Sequence, residues 1–169
     1  ARRVGADLPP NRRAFVHMSS AGGLFEGQIA CGRDAVPEPL RPYGDGKLAQ
    51  ERALLGEDAL GHRVILRPSS VYGYGQGARH GLVSALVAAG FQRRGATIFG
   101  ALTTLRDYVF APDIGRFVAA RLLEPISRAV DAVPIETILL ASARPASVFE
   151  ILRLVEARIG TSIYLNIDP

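Results

Sequence analysis

Arg63-Val64-Ile65-Leu66-Arg67-Pro68-Ser69-Ser70 decides the fold of this 169-residue chain. A short apolar run stopped by a proline and opening into serines reads as a buried strand that ends in a polar loop. Upstream, a helix starts near Tyr43 behind Pro42, with Asp45 and Glu51 toward its beginning and Leu48, Leu54 and Leu55 spaced for one face. Before it, Ala14-Phe15-Val16-His17-Met18 is another buried strand, running into the loop Ser19-Ser20-Ala21-Gly22-Gly23.

Downstream the alternation continues. Residues 81–91 have helical periodicity, 96–100 and 106–110 are short strands, and a helix runs from Pro112 through Leu123 to close at Pro125. Residues 137–141 form a third buried run, 147–159 a strongly periodic helix stopped by Gly160, and 163–167 a last strand. Strands alternating with amphipathic helices predict an α/β fold with a parallel sheet and ligands at the strand ends.

Composition narrows the function. With 48% hydrophobic and 21% charged residues the chain is ordinary for a soluble globular domain, and its glycines and prolines are spread without repeat or linker. The formal charge of +4 comes from dispersed arginines, including the pairs Arg2-Arg3, Arg12-Arg13 and Arg93-Arg94, so a nucleic-acid stripe is not expected. Mild basicity suits small phosphate-bearing anions instead. Cys31 is the only cysteine, and His17, His62 and His80 have no metal-ligand spacing, so neither a disulfide nor a metal site is expected. No apolar run is long enough for a membrane span, and a cytoplasmic protein is the expectation.

Lys47 is the only lysine, against nineteen arginines, and it follows Tyr43 by four residues. On a helix that spacing puts phenol and ammonium on one face, one turn apart. A fixed cation favours the phenolate and draws a group that ordinarily titrates near pH ~10 toward the range of a general base. The same spacing also suits a solvent-facing pair. Ser19 and Ser20 end the first strand at the carboxyl edge, and Ser69 and Ser70 end the second at the same edge.

Four segments carry a family resemblance: Val16-His17-Met18-Ser19-Ser20-Ala21, Pro42-Tyr43-Gly44-Asp45-Gly46-Lys47-Leu48-Ala49-Gln50-Glu51, Leu66-Arg67-Pro68-Ser69-Ser70-Val71-Tyr72-Gly73, and Arg106-Asp107-Tyr108-Val109-Phe110-Ala111-Pro112-Asp113-Ile114. In this order and spacing the chain resembles an extended short-chain dehydrogenase/reductase of the NAD-dependent epimerase/dehydratase kind, the group that includes UDP-galactose 4-epimerase. The resemblance covers about residues 15–168. It implies a partial Rossmann-type parallel sheet with helices on both faces, plus part of a smaller substrate-binding region.

The same resemblance assigns roles. Tyr43 is the proton-transfer residue, Lys47 bonds the nicotinamide ribose, and Ser20 bridges the sugar hydroxyl to Tyr43. Ser19, Pro68 and Ser69 lie against the cofactor, NAD. Ser70 stands where many relatives carry an asparagine that touches the nucleotide-sugar diphosphate, and Arg106 matches an arginine that pairs with it. A guanidinium fork suits phosphate oxygens. Arg106 has a structural alternative as the partner of Asp107 or Asp113.

Departures refine the reading. Gly46 replaces a common serine, Tyr74 a common proline, and Ser70 the asparagine. Ala21 and Gly22 follow Ser20 where 4,6-dehydratases of the group carry Asp-Glu, which argues against dehydratase chemistry. The family's opening strand, glycine-rich turn and helix are missing, and Gly73-Tyr74-Gly75-Gln76-Gly77 follows a later strand in the wrong context.

The chain therefore reads as the middle and later parts of a longer enzyme. Residues about 14–75 and 107–123 belong to the second half of the dinucleotide-binding sheet, and about 76–106 and 124–169 largely to the substrate-binding region. The isolated chain is expected to bind NAD weakly or not at all, with apolar surface exposed around the first strand.

The leading expectation is a nucleotide-sugar epimerase of carbohydrate metabolism that binds neither nucleic acid nor membrane, with a homodimer left open. The alternatives are an NAD(P)-dependent reductase or dehydrogenase on the same scaffold, and a non-catalytic truncated dinucleotide-binding-fold protein.

Overall fold

The computed structural model describes residues 14–32, 34–73, 81–123 and 135–168. Its strands are β1 (Ala14–Met18), β2 (His62–Pro68), β3 (Ser70–Tyr72), β4 (Ala96–Phe99), β5 (Leu105–Arg106), β6 (Tyr108–Phe110), β7 (Ile135–Leu140), β8 (Ala146–Ser147) and β9 (Leu165–Asp168). Its helices are α1 (Ala21–Leu24), α2 (Pro42–Leu55), α3 (Leu82–Gln92), α4 (Ala111–Leu123) and α5 (Val148–Ile159). None of these helices is long and apolar enough to cross a membrane. The expected helix stop at Pro125, the Gly75-Gln76-Gly77 run, His80 and the arginine pairs before residue 14 lie outside the described residues.

The chain divides into two compact units. The first gathers residues through Ser69 with Ile114–Leu140, and the second Ser70–Asp113 with residues from Ala141 on.

In the first unit β1, β2 and β7 form a parallel sheet in the order β1-β2-β7, with Val16 opposite Val64 and Leu66 opposite Ile138. The central strand β2 is paired on both edges and buries Val64, Ile65 and Leu66 almost completely. That explains its unbroken apolar run, since a strand covered on both faces has no reason to alternate. Pro68 lies within β2 as its last residue. Strand β1 is less enclosed than its sequence suggests, with Phe15 and Met18 exposed at 38% and 42%. Strand β7, which the sequence reading grouped with the substrate-binding region, pairs with β2 in this unit.

Two local readings change. Residues 21–23, expected as loop, join Leu24 in the short helix α1, because the Ser20 hydroxyl accepts from the Gly23 N–H and caps it. In α2 the buried residues are Gly44 and Glu51, while Leu55 is 56% exposed. The fully buried positions of α2 are thus polar and small, while Leu48 and Leu54 are half-buried, Leu48 packing on the α1 cluster, and Leu55 faces outward.

The second unit joins three strand pairs, β3 with β6 and β4 with β9 in parallel, and β5 with β8 antiparallel. The single strand expected over 106–110 is broken at Asp107 into β5 and β6, which take different partners. The core lies between α3, α5 and β4, where Leu86, Ala89, Ile98, Val148, Leu152 and Val155 are buried. Helix α5 begins in a capping box, with Ser147 and Glu150 each bonding the other's backbone N–H, and ends at Gly160, whose φ of 71° is a left-handed conformation that glycine adopts most readily.

Candidate active site

Helix α2 starts on an extended Arg41 with Pro42 in its first turn, where a missing N–H costs nothing. Its docking on α1 depends on two glycines. A Cβ at Gly44 would run into the carbonyl of Gly23 and the ring of Pro39, and a Cβ at Gly23 would meet the Tyr43 ring at 2.9 Å. The backbones therefore touch, and the Tyr43 ring lies over Gly23. Since the Gly23 N–H also bonds Ser20, phenol and serine are brought to one neighbourhood. The Ser20 oxygen accepts there and keeps its own proton to donate.

Lys47, one turn on from Tyr43, donates from Nζ to the carbonyl oxygen of Met18 at 2.9 Å, at the carboxyl end of β1. An ammonium has three donors, so two remain. Tyr43 is 60% exposed, with its ring seated and its rim open to solvent.

Behind this pair lies a buried polar seam. Glu51, two turns from Tyr43 on the same face, is only 4% exposed. It accepts from Arg67 Nε at 3.0 Å and from a terminal nitrogen at 2.7 Å, a fork-to-fork contact. The Arg67 guanidinium also lies 5.5 Å from the centre of the Phe25 ring.

Burial alone would raise the Glu51 carboxyl, but Arg67 bonding, with help from Ser19 and His17, holds it below the usual carboxylate range. The buried Ser19 hydroxyl finds no partner at normal hydrogen-bond geometry, yet it lies near enough to Glu51 to favour the ionised form. His17 is pushed down by burial and by Lys47, against the opposing pull of Glu51. Arg63, on the same face of β2 as Arg67, donates to the Leu54 and Leu55 carbonyls at 2.8 and 3.3 Å and closes the far end of α2.

The expected site residues of the first unit thus separate by role. Ser20, Tyr43 and Lys47 gather around the α1–α2 contact, and Ser19 turns its hydroxyl inward toward the seam. Pro68 is buried, and the Ser69 N–H donates to Leu140 across the end of the sheet. In the second unit Ser70 is tied to Asp107, the residue that follows Arg106. The Ser70 N–H donates to its carbonyl, while its carboxylate accepts from the backbone N–H and hydroxyl of Ser142 and the backbone N–H of Arg144. Arg106 itself is exposed on β5. Among the described residues no three His, Cys, Asp or Glu side chains stand together as a metal group.

The model of the NAD dependent epimerase/dehydratase family matches residues 4–131, more than half of the chain. The chain belongs to that family.

Solved structures agree with this membership. UDP-glucuronic acid 4-epimerase from Bacillus cereus, solved with UDP-glucuronic acid and NAD, is 28% identical with a TM-score of 0.76, over 91% of this chain and 48% of that one. Two UDP-glucose 4-epimerases match in fold at 22% identity. That from Thermus thermophilus, with NAD, has a TM-score of 0.76 over 91% of this chain and 50% of that one. That from Thermotoga maritima, with UDP-glucose, has a TM-score of 0.78 over 93% and 50%. This epimerase/dehydratase family chain spans about half the length of the solved structures it matches.

Sequence reasoning missed Glu51, Arg67 and Asp107 as organising residues of this family member. The signal for Glu51 was available, since it follows Lys47 by four and Tyr43 by eight on one helical face. Nothing in the sequence pairs it with Arg67 sixteen residues on.

Proposed function

We propose that the protein is an NAD-dependent epimerase of nucleotide sugars in which Tyr43 moves the proton. The observation that carries this reading is the Lys47 ammonium held on the Met18 carbonyl, one helical turn from a Tyr43 ring that rests on the Ser20-capped helix. The residues fit the nicotinamide-ribose end of the family's cofactor, because Lys47 retains two donors for ribose hydroxyls and Pro68-Ser69 end the adjoining strand. NAD, when bound, supplies a hydride acceptor that later becomes the donor. Tyr43 accepts the proton of the sugar hydroxyl as the carbon is oxidised and returns it after the keto sugar has turned over. The Ser20 hydroxyl donates to the sugar oxygen and holds it at the phenol.

The second unit supports a substrate of this class. The Ser70 backbone is bonded to Asp107, the neighbour of the exposed Arg106, and a guanidinium there suits the diphosphate. No carboxylate follows Ser20, so loss of water from the sugar lacks the acid and base it needs, and epimerisation is favoured over dehydration.

Tyr43→Phe tests the reading in the full-length protein. Turnover of UDP-glucose or UDP-glucuronic acid to the 4-epimer, followed by proton NMR, should fall by at least about a hundredfold while the fold is unchanged by circular dichroism. Wild-type turnover in the variant would overturn the assignment. Stoichiometric release of reduced cofactor would convert it to a net oxidoreductase.

A further inference from the structure

We propose that Glu51 and Arg67 are the positioning pair of this site. Their buried contact fixes the rotation of α2 and so keeps the Lys47 ammonium on the Met18 carbonyl. The inference rests on the reading in which Tyr43 and Lys47 carry the chemistry, and its first test is independent of turnover.

Tyr43, Lys47 and Glu51 follow one another at intervals of four along one face of α2, so a rotation of the helix moves all three together. Gly44 against Gly23 sets how closely the helix approaches α1, and the Tyr43 ring and Leu48 pack on α1, but none of these contacts has the preferred plane of a bidentate ion pair. The two bonds from Arg67 to Glu51, at 3.0 and 2.7 Å, define a plane as well as a distance. Arg67 is itself held, by its place near the end of β2 and by the Phe25 ring at the end of α1. Three elements meet in one ion pair.

Stability alone is a poor reason to bury these charges. An apolar pair of similar size in the same position is often as stable, because taking two ions from water offsets their attraction. A leucine at position 51 would continue the apolar face expected of such a helix, but leucine contacts have no preferred plane. The directional contact stands one turn from the only ammonium side chain in the protein.

The single lysine makes the test direct. Selective ¹³C and ¹⁵N labelling of lysine reports Lys47 alone, and its ammonium and ε-carbon signals register the bond to Met18. In the double variant Glu51→Leu/Arg67→Met, which keeps volume and leaves no unpaired charge, the signals should move to those of free lysine although the protein remains folded. Glu51→Gln, which keeps the volume and the single lysine but leaves one acceptor oxygen in place of the carboxylate fork, should shift them in the same direction without restoring the wild-type signature.

In the full-length protein both variants should lose on the order of tenfold to a hundredfold in kcat, with KM for the nucleotide sugar changed by less than about threefold. An unmoved Lys47 signal in either folded variant overturns the proposal. If the signal moves and Tyr43→Phe nevertheless turns over normally, the positioning role stands and the assignment of Tyr43 as base falls.

Discussion

Helices α2 and α5 differ in what they bury. Helix α5 buries Val148, Leu152 and Val155, an apolar stripe at spacings of four and three, and it is capped at both ends by its own sequence. Helix α2 buries a glycine and a glutamate, has no side-chain cap at its start, and is closed at its far end by Arg63 from a neighbouring strand. The first is held by area, which tolerates small sliding. The second adds to the packing of Leu48 and the Tyr43 ring a set of directed contacts, each with a required angle, and it is the one that carries Tyr43 and Lys47. Precision at the site comes from polar contacts in positions where stability alone would favour leucine.

The sharpest way to break this contrast is Arg67→Met. It leaves Glu51 ionised and buried without its partner, and should cost about 3–5 kcal/mol in urea unfolding. A loss below about 1 kcal/mol would mean that the seam admits water and that α2 resembles an ordinary surface helix. In α5, Leu152→Ala removes apolar volume from a closed core and should cost about 2–4 kcal/mol.

Acid should separate the two helices without any substitution. The folded His17 and His62 are held below the ordinary histidine value, chiefly by burial, so the unfolded chain takes up protons first and stability falls as pH drops below about 6.5. Glu51 is held below its ordinary value, so its contribution is complete above that value and is lost as pH falls through the lower folded one. Hydrogen exchange across pH 7 to 4 should therefore open α2 and β1 before α5. The reverse order would place the acid-sensitive groups elsewhere. Smallest is Ser147→Ala, which removes the α5 capping box and should cost about 1 kcal/mol by thermal unfolding.

Periodicity made most of the described elements legible in the sequence. The strand around Ile65, the helix from Pro42 and the helix after Ser147 stand within a residue or two of their expected places. Segments governed by hydrogen bonds with distant partners were harder to read. Asp107 splits one expected strand because its carboxylate serves the loop at residues 142–144, thirty-five and more residues away. Residues 21–24 form α1 because Ser20 caps them, a local signal hidden by two glycines that suggest a loop. Spacing and resemblance singled out Ser20, Tyr43 and Lys47, which the fold brings to one neighbourhood. The inward face of α2 was not, since hydrophobic patterning gives no weight to a buried carboxylate whose partner lies on another element.

The acceptor that holds the Lys47 ammonium belongs to the peptide unit of residue 18 rather than to its side chain. Substitution at that position can change size, polarity or shape and still present the same oxygen, so the tether is blind to point changes in the residue that provides it. It is sensitive to strand pairing, because a slip of β1 by one residue would turn that oxygen to the opposite edge. The cation is thus guarded by backbone register, a property spread over every rung between β1 and β2.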